Sequence, residues 1–97
     1  MVKINIYPDG FSAIGHAEYA PIGQDIVCSA ISTLVQTTAL ALKTYCHVNI
    51  EVDQGDVYVY LKSKSGKSTI LIGAMVIGLR EIEKQYPKHL SIEERWQ

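Results

Sequence analysis

Two side chains in the first third of the chain have the types needed for a nucleophile and its base. His16 and Cys28 flank the stretch Gly15-His16-Ala17-Glu18-Tyr19-Ala20-Pro21-Ile22-Gly23-Gln24-Asp25-Ile26-Val27-Cys28. Thiol and imidazole are the two parts of the commonest cysteine nucleophile: the sulfur attacks as thiolate while the ring moves protons. Pro21 and Gly23 break both the helical and the strand period, so a loop separates the pair and could fold the ring back over the sulfur. Asp25 is a preferred helix N-cap, which places Cys28 at the third helical position. The unpaired N–H groups and dipole of a helix start favour negative charge and therefore a thiolate. The chemistry this pattern points to is that of a small cysteine peptidase.

Each of these residues also has a plain structural role available. A free cysteine is often just a small buried hydrophobe. Helix capping is sufficient to explain Asp25, although the same carboxylate could orient His16. Ser32, one turn beyond Cys28, could hydrogen-bond near the thiol or simply occupy the polar face.

Other motifs carry less. Ser65-Gly66-Lys67-Ser68-Thr69 looks like the end of a phosphate-binding loop, but the full pattern needs a glycine where Leu61 stands. A polar loop and a helix start explain it. Cys28, Cys46, His16 and His47 lack the closely spaced cysteine pair of structural zinc sites, so neither metal nor cofactor is expected. His89 falls in a polar tail. Tyr58 and Tyr60 project opposite Val57 and Val59, where they either line a groove or cover the second helix.

The elements that must position the thiol follow from hydrophobic period. Val2, Ile4 and Ile6 alternate with polar residues as in a half-buried strand. Tyr7-Pro8-Asp9-Gly10 is a turn, and a second strand runs from about residue 11 to 16, which places His16 at its end. From Asp25 a helix puts Val27, Ile31, Leu34, Thr38, Ala41, Leu42 and Tyr45 on its buried stripe, with Asp25, Ser29, Ser32, Gln36 and Lys43 opposite. Cys28 lies on the border, where a thiol gains both packing and access. Val48, Ile50 and Val52, the turn Asp53-Gln54-Gly55-Asp56, and Val57, Val59 and Leu61 make a second hairpin. A second helix spans about 68 to 86, stopped by Pro87. Its first half is apolar on nearly every side, which suits burial against a second subunit. The predicted fold is α+β: a β-β-α-β-β-α two-layer sandwich with an antiparallel or mixed four-stranded sheet and two helices. Leu90-Ser91-Ile92 could add a short C-terminal strand.

Ninety-seven residues suit a single domain, 1–97, with a modest core. The 47% hydrophobic and 20% charged content excludes a disordered chain. Nine basic against ten acidic residues give a net charge of −1 without a basic run, which argues against direct nucleic-acid binding and an RNA-binding module. The run Ile70 to Leu79 is too short for the roughly 20 apolar residues of a membrane span. Met1 to Ile6 does not read as a leader. The expectation is a cytoplasmic protein with two free thiols and no membrane partner.

Gly15-His16-Ala17, Gly23, Asp25-Ile26-Val27-Cys28 and Ser32, with Gly78-Leu79-Arg80-Glu81-Ile82 and Tyr86-Pro87, resemble the signature of the Prp family of ribosomal-processing cysteine proteases. The likeness covers essentially the whole chain, and the His-to-Cys spacing agrees. Glu18 stands where a glycine is frequent and Ser29 where alanine is usual. The resemblance implies a bacterial homodimer that trims the N-terminal extension of a large-subunit ribosomal protein, the one whose tail approaches the peptidyl-transferase centre. It implies Cys28 as nucleophile, His16 as general base and then acid, Asp25 and Ser32 in support, and a substrate loop of Gly15, Ala17, Glu18, Tyr19, Ala20, Pro21, Ile22 and Gly23. It also implies an apolar groove near Cys28. The rival from a different class is a non-catalytic ribosome-assembly adaptor that binds a peptide with an idle thiol.

Overall fold

The computed structural model describes residues 1–15 and 26–95. Strand β1 (Val2–Tyr7) turns through Pro8 and Asp9 into β2 (Gly10–Ile14), followed by helix α1 (Ile26–Tyr45). Then come β3 (Val48–Asp53), β4 (Asp56–Leu61), helix α2 (Gly66–Gln85) and β5 (Leu90–Glu94). The strands form one sheet in the order β3-β4-β2-β1-β5. The β1–β5 pair is parallel and the other pairs are antiparallel.

The expected α+β class, the two helices and, of the two alternatives, the mixed sheet are present, and the C-terminal segment brings the four expected strands to five. Residues 90–94 form a full strand because β1 offers its free edge: Val2 faces Leu90 and Ile4 faces Ile92 in register. Strand β2 ends at Ile14, short of the predicted His16, and α2 starts two residues earlier than predicted.

Register decides which face is buried, since alternate residues point to opposite sides of a strand. Val2, Ile4 and Ile6 pair beside Phe11, Ala13, Val57, Val59, Leu90 and Ile92. This face joins Val27, Ile31, Val35 and Leu42 of α1 and Ile72, Met75 and Leu79 of α2 in one core. Complete burial of each large aliphatic side chain stabilises the fold by about 1.5–3 kcal/mol. Tyr58 and Tyr60 lie on the opposite face, paired with Ser12 and Gly10, so they do not cover α2. The predicted stripe of α1 is corrected at its edges: Val35 and Ala39 are buried, whereas Leu34 and Ala41 are intermediate and Tyr45 is 64% exposed. By length and mean hydropathy of 1.4, α1 could span a bilayer, which the sequence expectation overlooked. Its apolar stripe is instead packed on the sheet, with Ser29, Gln36 and Lys43 exposed.

Helix α2 begins at a capping box. Ser65 Oγ accepts from Ser68 N–H at 3.2 Å, and Ser68 Oγ accepts from Ser65 N–H at 3.0 Å. Ser68 also donates to the Ser65 carbonyl and is 1% exposed. The phosphate-loop likeness is therefore a helix start whose hydroxyls are committed to its own backbone. At the far end, Arg80 binds Glu83 at 2.9 Å and Glu94 at 2.8 Å, and these carboxylates hold its guanidinium pKa above the ordinary value. Glu83 Oε2 accepts from Ile92 N–H at 3.0 Å, which ties β5 to α2.

Candidate active site

Cys28 lies in the first turn of α1, half-buried and packed against the core. Val27 and Ile31, both buried, anchor this turn to the sheet, so the thiol is held at the border of the apolar stripe. Within α1 the first turn contains no acidic residue.

The thiol opens into a cleft of about 230 Å³ between α1 and the sheet. Its apolar wall comes from Val2, Ala13, Ile31, Val35 and Val57, and its polar rim from Ser32, Gln36, Gly15 and Gly55. Ser32 thus shares the cleft with Cys28, as one helical turn of separation requires. Such a wall suits apolar side chains of an extended peptide.

The opposite rim is fixed by backbone constraints. Gly15 has φ +92°, and a Cβ there would sit 2.6 Å from the Met1 carbonyl oxygen, so only glycine fits without a backbone shift. Its N–H donates to Asp56 Oδ1 at 3.0 Å. Asp56 follows the turn in which Gln54 and Gly55 both have positive φ, 52° and 88°, the pairing of a two-residue hairpin loop. Sequence inspection read 53–56 only as a turn. Its contact with Gly15 spans 41 positions, and no local periodicity encodes that distance. On the outer face, desolvation first, then the Asp56 and Asp53 carboxylates and the neighbouring Tyr60, hold the Tyr58 phenol above its ordinary pKa.

His16, Asp25 and the loop residues Ala17, Glu18, Tyr19, Ala20, Pro21, Ile22 and Gly23 lie outside the described residues. Cys46 follows the last turn of α1, about 27 Å along the helix from Cys28 at 1.5 Å per residue. That separation precludes a disulfide or a shared zinc site between the two cysteines. Larger depressions lie elsewhere, among them one of about 270 Å³ beside Tyr45, Lys67, Ile70 and Leu71. Another of about 390 Å³ runs between α1 and β3, and a third of about 320 Å³ lies beside Pro8, Leu61 and Ile72. None of these three is lined by a cysteine or histidine among the described residues, whereas the smaller cleft holds Cys28.

Comparison with known proteins agrees with the thiol chemistry read from the sequence. A family model described as Cysteine protease Prp matches residues 1–91. The chain is 29% identical to the ribosomal processing cysteine protease Prp of Mycoplasma genitalium, covering 97% of this chain and 96% of that one. It is 25% identical to the protein of the same name from Mycoplasma pneumoniae, covering 98% and 96%. In fold it is similar to the essential ribosomal processing protease Prp from S. aureus, solved with a covalently linked product peptide. There the TM-score is 0.89 at 19% identity, covering 98% of this chain and 100% of the other.

Proposed function

Because the chain belongs to the Prp family of cysteine proteases, we propose that it removes the N-terminal extension of a bacterial large-subunit ribosomal protein during ribosome assembly. The substrate would be the protein whose tail approaches the peptidyl-transferase centre. The observation that carries this reading is a half-buried thiol in the first turn of a core-anchored helix, opening on a cleft with an apolar wall.

In the proposed mechanism the Cys28 thiolate adds to the scissile carbonyl carbon. The resulting oxyanion is met by N–H groups at the start of α1. His16 gives its proton to the leaving amine as the C–N bond breaks, leaving a thioester on Cys28. His16 then takes a proton from water, which attacks the thioester, and the C–S bond breaks to restore the thiolate. Asp25 and Ser32 support the pair, and residues 15–23 contact the substrate. The chemistry calls for no cofactor. The enzyme works in the cytoplasm as a homodimer, joined through the apolar half of α2.

The test is incubation with the extended ribosomal protein, weighed before and after by mass spectrometry. The wild type yields a shortened product, whereas Cys28→Ala leaves the substrate intact while its circular dichroism is unchanged. Cleavage by Cys28→Ala would remove the nucleophile assignment. Binding of the extension without cleavage by the wild type would favour the adaptor instead.

A further inference from the structure

We infer that Asp56 is a positioning residue for this cleavage reaction, acting by fixing Gly15, the residue covalently joined to His16. The inference rests on the cysteine-protease reading above. The antiparallel β2–β4 register runs from Gly10↔Tyr60 to Ala13↔Val57. Continued by two residues, it sets Gly15 against Gly55, but the backbone pairing has ended by then. In its place the Asp56 carboxylate accepts the Gly15 N–H at 3.0 Å, while the Met1 carbonyl closes off the space on the other side of Gly15. Gly15 and Gly55 both border the Cys28 cleft. The bond therefore sets both the rim of the cleft and the point from which the chain departs toward His16.

The hairpin itself gives no reason for an aspartate here. Gln54 and Gly55 supply the positive φ values of the turn, and Asp53 pairs directly with Asp56. Like charges placed opposite each other on adjacent strands are destabilising. A residue that breaks a local rule is expected where a site gains from it. Proton transfer needs the ring within about 2.6–3.2 Å of its partner, and a misplacement of about 1 Å can cost on the order of 100-fold in rate.

The experiment compares kcat, KM and thermal midpoint for wild type, Asp56→Ala and Asp56→Asn on a peptide of the extension. Asp56→Ala lowers kcat about tenfold with KM within about twofold, and its thermal midpoint does not fall, because the repulsion with Asp53 is gone. Asp56→Asn keeps a side-chain oxygen that accepts the Gly15 N–H and restores most of kcat. An unchanged kcat in Asp56→Ala, an Asp56→Asn as slow as Asp56→Ala, or a loss of thermal midpoint that parallels the loss of rate would each overturn the inference. A wild type that cleaves while Asp56→Ala is unimpaired refutes only the role of Asp56. A wild type that cleaves nothing refutes the protease reading, and this role with it.

Discussion

At the scale of single residues, the division of labour between sulfur and ring is open to experiment without knowledge of the natural substrate. His16→Ala is expected to lower the cleavage rate by about 100-fold or more, the upper range for a positioned acid–base group. Cys28 should still be alkylated by iodoacetamide, as mass spectrometry of the labelled protein would show. A rate equal to wild type would remove His16 as the base. The border position of Cys28 and its neighbour Ser32 one turn on were legible in the sequence, because helical spacing alone fixes which residues of α1 are neighbours, whereas the cleft that both line was not. The role of Gly55 and Val57 in the same cleft was not legible. They reach it through β4 lying beside β2, and strand order is not written in any local pattern. His16 and Asp25 fall outside the described residues, so their part rests on chemistry and family membership.

At the scale of elements, hairpins and helices were readable from period and turn residues, while boundaries and partners were less so. Alternation identified β1, β3 and β4, and Pro87 marked the end of α2. Strand β5 was uncertain because it is short and its parallel pairing with β1 joins opposite ends of the chain. The motif at 65–69 resembles a phosphate loop for a definite reason: a helix start and a phosphate loop draw on the same small polar residues, and the expected helix start is what the structure shows. Its capping role predicts that Ser65→Ala destabilises the protein by about 1 kcal/mol. For a domain of this size that corresponds to a fall in thermal midpoint of about 4–8 °C, measurable by calorimetry. An unchanged midpoint would mean that the tertiary packing of Ser68, not the cap, fixes the start of α2.

At the scale of the whole molecule, the apolar excess of α2 is only partly absorbed by the core. Ile72, Met75 and Leu79 face the sheet, whereas Ile70 is 72% and Ile77 70% exposed. They lie seven residues apart, about two helical turns, and so on one face. Near the first of them, Tyr45, Lys67, Ile70 and Leu71 line a shallow apolar depression. Light scattering at micromolar concentration should give about twice the 10.8 kDa chain mass. Replacing both Ile70 and Ile77 by lysine should return it to the monomer value with the fold intact. A wild-type monomer would exclude association through this face.

The link between α2 and β5 narrows how two copies can meet. Ile92 turns its amide hydrogen to Glu83, and its carbonyl lies 3.5 Å from Arg80. Helix side chains thereby stand where the backbone of another strand would bind. Two molecules cannot fuse their sheets across β5 into one continuous ribbon without first pulling that clasp apart, so a twofold built on helices keeps both clasps shut.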